Sequence, residues 1–380
     1  MACPQDRGRP VPSEMPNPYA SSPDTAFWSR AVARAPDGVV DPVVDVPFRI
    51  TPADPVATAG SCFAQHISRH LRSRGFCYLQ AEDSVGEDPH GYGLFSARYG
   101  NVYTVRQLLQ LIDRTYGLFD PRHGVWVRAD GRFVDAFRPR ILAEGSASAA
   151  EVAAARDAHL LAVRRVLEDC SVFVFTLGLT EAWVDDADGA VFPLAPGVVA
   201  EPPEGAGIRF HNFSIDEVRA DLALVIEGLR AVNPDVRVVL TVSPVPLIAT
   251  GTAKHVLPAT VYSKSVLRVA AEEAAGRFEG VAYFPSYEII TGPQARGRTF
   301  AADLRTVTDQ GVATAMSVFE RHFLTTETQA RPKLAGEMPV RPATAPGRTI
   351  ASVSEELDPE LAATLRVICD EEEIERSLGA

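Results

Sequence analysis

Three short runs of the chain are apolar almost without interruption: SVFVFTLG at 171–178, VRVVLTVSP at 236–244 and GVAYFP at 280–285. Such runs predict strands covered on both faces, since a strand with one wet face alternates apolar and polar residues. Helical periodicity separates them. Residues 150–168 precede the first run, SIDEVRADLALVIEGLRAVN (214–233) joins the first to the second, SKSVLRVAAEEAAGRF (263–278) joins the second to the third, and a last helix follows Thr308. The stretch VATAGSCFAQHISRHL (56–71) adds an earlier strand that opens directly into a helix. This alternation predicts an α/β protein, a three-layer α/β/α sandwich with a mainly parallel sheet. In such sheets ligands bind beyond the carboxyl ends of the strands. Those ends carry Gly60-Ser61-Cys62, Gly178-Leu179-Thr180-Glu181, Ser243-Pro244-Val245-Pro246 and Pro285-Ser286-Tyr287-Glu288, so small residues, hydroxyls and carboxylates share one rim.

The periodic region has clear borders. Residues 1–26 are rich in Pro, Ser and Asn and predict no regular core element. One domain is expected over 27–323, followed by a Pro/Ala/Thr-rich linker at 324–350 and an acidic helical tail at 351–380. In that tail Ser352 and Glu355 form a capping pattern, and Leu357, Leu361, Leu365 and Ile368 fall at helical spacing. A helix docked back on its own domain is the expected form of such a stripe, ahead of a partner-binding element.

Charge and cysteine usage narrow the classes. The chain has 380 residues and a net charge of -12, with no Lys/Arg cluster, which argues against nucleic acid as a partner. Its five cysteines, Cys3, Cys62, Cys77, Cys170 and Cys369, show neither paired nor CxxC spacing, so a disulfide framework and a zinc ribbon are both disfavoured. No secretory h-region and no apolar run of membrane-spanning length are present, and a cytoplasmic location is the expectation. His66 and His70 stand at i, i+4, a metal-ligand spacing, but no HExxH pattern or third ligand completes a site; both are expected to face solvent, and no metal or cofactor is implied.

Six ordered blocks carry a family resemblance: GSCFA at 60–64, YGNVYT at 99–104, FTLGLTEAW at 175–183, TVSPVPL at 241–247, HVLPATVYSKSVLR at 255–268 and YFPSYEII at 283–290. Together they resemble the GSCFA-domain family, which is similar to the SGNH, or GDSL-like, esterases and acyltransferases, with their flavodoxin-like sandwich. The resemblance implies that Ser61 is a nucleophile, placed at a helix start where an oxyanion is favoured; a plain helix cap is the alternative. Cys62 is the neighbouring rival, since a thiol at a helix N-terminus is a good nucleophile. The implied oxyanion hole combines the Ser61 amide with Gly100 and Asn101 of the YGN block. Thr180 stands where the superfamily places an asparagine, because Gly178-Leu179-Thr180-Glu181 replaces Gly-x-Asn-Asp.

The superfamily's closing Asp-x-x-His block reads Asp303-Leu304-Arg305-Thr306, without its histidine. Of the eight histidines, His66, His70, His90, His123, His159, His211, His255 and His322, it is His255 that follows a rim segment and opens a family block, so it is the expected base. Asp303 is then its orienting partner, with Glu288 as rival and Glu181 as a secondary candidate. Trp183 and Tyr287 are candidates for an apolar or sugar-stacking wall, or for ordinary packing. The implied activity is serine-dependent hydrolysis or transfer of an O-acyl group on a small-molecule or carbohydrate ester. The alternatives are a binding or scaffold protein that kept the fold and lost the reaction, and acyl transfer on Cys62.

Overall fold

A computed structural model of the chain describes residues 17–35, 39–82, 95–142, 144–325 and 370–379. Its centre is a four-stranded sheet of β1 (Val56–Gly60), β4 (Val172–Leu177), β8 (Arg237–Val242) and β9 (Val281–Phe284), in the order β1-β4-β8-β9. Every pairing is parallel, with Gly60 opposite Thr176 and Thr176 opposite Thr241. The three apolar runs and the opening stretch therefore form the strands expected of them. Beyond β1 the position of a fifth strand shrinks to a single parallel bridge between Val56 and Tyr78. The chain thus leaves β1 towards one side and returns as β4 on the other, which creates a topological switch point at the carboxyl ends of these two strands.

Alternate strand residues enter two different cores. Phe173, Phe175, Leu177, Leu240 and Val242 pack against α3 (Val105–Thr115), α4 (Ala149–Asp169), α5 (Ile215–Val232) and α6 (Val256–Arg277). Val172, Val174, Val239 and Phe284 face α2 (Ala64–Ser73), α7 (Ser286–Thr291) and α8 (Asp309–Phe323). The sandwich is the expected three layers. Helix starts are fixed by hydroxyls: Ser148, Ser214 and Thr308 each accept a bond from the amide three residues on, and Ser214 completes a capping box with Glu217.

Two features differ from the sequence reading. The sixth helix begins at Val256 rather than near 263, because Pro258 falls in its first turn, where a missing N–H costs nothing. Between β4 and α5 the chain makes an antiparallel excursion, β5 (Glu181–Asp185), β6 (Val191–Phe192) and β7 (Ile208–Asn212), joined in the order β6-β5-β7. Its strands are only two to five residues long and broken by Gly and Pro, too short to show a period. A hairpin of β2 (Val125–Val127) and β3 (Phe133–Asp135) shares a small aromatic core with it through Trp126 and Phe192, 4.8 Å apart.

The N-terminal helix α1 (Trp28–Ala31) buries no residue. Of the C-terminal tail, the helix α9 (Glu372–Ser377) is described, whereas Ser352, Glu355 and the stripe Leu357, Leu361, Leu365 and Ile368 lie outside the described residues.

Candidate functional site

Ser61 stands where β1 ends, and glycines on both sides make its place. Gly60 holds φ at +138°, and a Cβ added to it would lie 2.4 Å from the Thr176 carbonyl oxygen. Only glycine lets the strand turn out so close beside β4. Gly60→Ala is accordingly expected to cost about 3 kcal/mol of stability, seen as a lower urea midpoint at unchanged m-value. A Cβ on Gly178 would lie 3.0 Å from both Ser61 Cβ and the Tyr103 carbonyl oxygen. The two strand exits therefore press Ser61 against the loop of the YGN block.

That loop is fastened to both strands. The Val102 amide donates to Gly60 O at 2.8 Å, and the Gly178 and Leu179 amides donate to Tyr103 O at 3.0 and 3.1 Å. Gly100, with φ of +67°, supplies the bend, and the Thr104–Gln107 capping box starts α3 directly behind it. Asn101 and Tyr103 are thereby held at the switch point, both buried.

Ser61 is 3% exposed, and its Oγ is buried with no hydrogen-bond partner among the described residues. A buried hydroxyl left unsatisfied costs about 1–3 kcal/mol, so such an atom asks for an explanation outside packing. Its amide, by contrast, is spent: Ser61 N–H donates to Thr176 O at 3.1 Å as the last rung of the β1–β4 ladder. The Ser61 amide is thus not an oxyanion-hole donor, which corrects the sequence expectation. The amides of Cys62 and Phe63, at the start of α2, make no hydrogen bond among the described residues, as the first amides of a helix commonly do not.

The pocket beside Ser61 is lined by Cys62, Tyr103, Gly178, Leu179, Ser243 and two charged groups, Lys264 and Glu371. Lys264 lies on α6, 2% exposed, with Nζ donating to Gly178 O at 2.5 Å. Burial pushes its pKa down to about 8, while Glu371 and Cys62 hold it up and Arg305 presses it further down. This lysine sits inside the block HVLPATVYSKSVLR, yet a Lys in helical text reads as a solvated charge, and nothing short of its burial marks it out.

The block that lacks its histidine delivers an arginine. Asp303 accepts from the amides of Arg305 and Thr306 at 3.0 and 2.9 Å and from Thr306 Oγ1 at 2.5 Å, and these bonds hold its pKa below the usual value. Leu304 is forced to φ of +56°. The turn so formed sends Arg305 towards the pocket, where Nη2 reaches Glu371 Oε2 at 3.0 Å. Glu371 and its neighbour Asp370 belong to the C-terminal tail. Burial raises the pKa of both carboxyls.

The expected triad does not assemble. His255 is exposed and caps its own helix, with Nδ1 accepting from the Leu257 amide at 3.1 Å, and no hydrogen bond joins it to Asp303 or Ser61 among the described residues. Its place at the head of a long helix explains this, since the orphan amides of the first turn take the ring nitrogen. His255→Ala is expected to leave ester turnover within about threefold of wild type and to cost about 1 kcal/mol in thermal unfolding, as lost caps do.

Other expectations are corrected by partners of their own. Thr180 donates through Oγ1 to Asn212 Oδ1 at 2.6 Å and tethers β7, so its hydroxyl is not an oxyanion donor. Glu181 accepts from Thr250 Oγ1 at 2.6 Å and the Gly251 amide at 3.0 Å, pinning the loop after β8. Glu288 is held between Arg268 Nε at 2.5 Å and the Tyr283 hydroxyl at 2.9 Å. His66 and His70 are half-buried rather than turned fully to solvent: burial lowers the His66 pKa to about 4, and His70 lies 3.2 Å from Glu320. His90 lies outside the described residues, and none of the other histidines lines the Ser61 pocket. Trp183 meets Phe210 edge-on at 5.8 Å in an adjoining apolar cavity, whereas Tyr287 packs half-buried on the core.

No helix among the described residues is long and apolar enough to cross a membrane. Comparison with curated proteins gives no match. Among solved structures, the chain is similar to a carbohydrate esterase family 3 protein from Talaromyces cellulolyticus, with a TM-score of 0.32, 9% identity, and coverage of 72% of this chain and 95% of that one. It is likewise similar to a serine-to-alanine mutant of an acetyl esterase solved with acetate ion, at a TM-score of 0.30, 10% identity and the same coverages of 72% and 95%. The model of the GSCFA family matches residues 55–319, the span that holds Ser61, Asn101, Lys264 and Arg305, and the chain belongs to that family.

Proposed function

We propose that this protein is a serine-dependent O-acyl ester hydrolase or acyltransferase in which Ser61 is the nucleophile and Lys264 its general base. The observation that carries the reading is the buried Ser61 hydroxyl with no hydrogen-bond partner among the described residues, lining the same pocket as a buried lysine of lowered pKa. Serine–lysine pairs are one of the recurring solutions to this chemistry. A lysine serves as base only when neutral, and desolvation provides that near neutral pH.

In the first half-reaction neutral Lys264 takes the Ser61 proton as Oγ attacks the ester carbonyl carbon. The tetrahedral oxyanion is received by the Cys62 and Phe63 amides at the positive end of α2. Collapse breaks the carbonyl-to-alkoxy bond, and the leaving alkoxide takes the proton back from the Lys264 ammonium. Water or an acceptor alcohol then attacks the acyl-Ser61 ester by the same relay, regenerating Ser61. Throughout, the Gly178 carbonyl holds Nζ in place through one of its N–H bonds.

The pH dependence follows in sign. Protonated Lys264 is inactive, so kcat/KM on an activated ester is expected to rise about tenfold per pH unit below the base's pKa and to level off above about pH 8. A profile flat from pH 6 to 9, or one breaking near 6.5 as an ordinary histidine does, would remove Lys264 from the role.

A second reading is favoured by one contact. Cys62 lines the same pocket as Lys264, so acyl transfer on the thiol uses the same base. Under that reading Cys62→Ser loses turnover and Ser61→Ala keeps it.

A further inference from the structure

One carboxylate from far along the chain, Glu371, lines the pocket beside Ser61, and its neighbour Asp370 docks next to it on Asn101 and Tyr103. Asp370 and Glu371 are 6% and 8% exposed. The Asp370 carboxylate accepts from Asn101 Nδ2 at 3.0 Å and from the Asn101 backbone amide, with Arg140 Nη1 at 4.0 Å. The Glu371 carboxylate takes Arg305 Nη2 at 3.0 Å and faces Lys264. The Tyr103 hydroxyl accepts from both of their amides, at 3.0 and 3.4 Å.

The two halves of this contact differ in origin. Asn101, Tyr103, Arg140, Lys264 and Arg305 all lie within the family-matched residues 55–319, whereas both carboxylates lie beyond them. The receiving groups therefore belong to the domain itself. A cation drawn out of water is costly without an anion, and holding the half-buried Arg305 at this rim makes sense for a domain whose own ligand brings one. Among the described residues 370–379, Ile374 is the apolar side chain that enters the adjoining cavity, between Trp183, Phe210 and Leu247, while Leu378 is exposed. A small anion can compete with the charged contacts that Asp370 and Glu371 make.

We infer that the Ser61 pocket takes an ester whose acyl or alcohol part carries a free carboxylate, seated on Arg305 and reached by Asn101 and Arg140, where this chain's own Asp370 and Glu371 sit. The inference deepens the proposed function by naming the charge of the substrate, and the tail is then an intramolecular competitor for the seat.

Two measurements on the full-length chain test it. In the first, amide exchange of residues 370–379 in the wild type is followed with glutarate and with sodium chloride of equal ionic strength. Exchange should quicken saturably in glutarate and by less than a third as much in chloride; equal exchange in both overturns the inference. In the second, p-nitrophenyl acetate and the mono-p-nitrophenyl ester of glutaric acid are compared on wild type and on the D370N/E371Q double variant. The double variant should prefer the carboxylate-bearing ester by about tenfold or more in kcat/KM and should gain more on it than on the acetate. Equal treatment of the two esters overturns the inference and leaves the serine chemistry standing. Loss of both activities refutes the chemistry instead, and the exchange experiment then still decides the carboxylate seat.

Discussion

Ser61→Ala is expected to lower kcat/KM on an activated ester by a thousandfold or more and, at the same time, to make the protein slightly more stable. The first effect follows from loss of the only atom the reaction acylates, and nucleophile removals cost at least this much in comparable serine enzymes. The second follows from packing. Ser61 Oγ makes no hydrogen bond among the described residues, so its removal breaks none and relieves a buried, unsatisfied hydroxyl. The gain is about 1 kcal/mol and shows as a raised urea midpoint. A purely structural Ser61, capping α2, gives the opposite pair: stability lost and turnover retained. Sites that trade stability for function show this signature.

Lys264→Met is expected to lower kcat by about a thousandfold and to abolish the rise of activity towards pH 8, while the Tm moves by only a few degrees. Methionine fills the volume of the stem, and exchanging a buried charge for an apolar chain of like size is often neutral or stabilising. Against this stands the Gly178 carbonyl, which loses its donor, a cost of about 1 kcal/mol. Lys264→Arg should not restore turnover, since a guanidinium stays protonated throughout and cannot act as base. A lysine that only braces Gly178 predicts something else: reduced stability, a pH profile unchanged in shape, and partial rescue by arginine.

The sheet was legible in the sequence because parallel strands buried on both faces leave unbroken apolar runs, and Val172–Leu177, Arg237–Val242 and Val281–Phe284 each coincide with one. The rim was legible for the same reason, since Gly178 and Ser243 are the first residues beyond two of those strands and Ser61 the first beyond β1. The excursion from Glu181 to Asn212 was not, because its strands are too short to carry a period.

Site residues divided by what their side chains do locally. His255 has the right type and a motif position, but its ring is spent on the head of its own helix. Thr180 and Glu181 sit on the rim yet are satisfied by neighbours that sequence spacing does not reveal. Lys264 and Arg305 were passed over because charged residues in helices and turns ordinarily face water. The stripe expected to dock on the domain, Leu357 to Ile368, lies outside the described residues, whereas Asp370 and Glu371, which the sequence did not single out, do reach the domain. Their destination was not readable, because the bond from Asn101 to Asp370 spans 269 positions and leaves no local pattern.

The central claim, an activated serine served by Lys264, is tested most directly by intact-mass analysis after incubation with a fluorophosphonate probe. Wild type, Ser61→Ala, Cys62→Ser, His255→Ala and Lys264→Met are compared at pH 8. The account predicts a single adduct on wild type, Cys62→Ser and His255→Ala, none on Ser61→Ala, and labelling slowed about a hundredfold or more on Lys264→Met. An adduct that persists on Ser61→Ala, or one that is lost from Cys62→Ser or His255→Ala but unchanged on Lys264→Met, contradicts it.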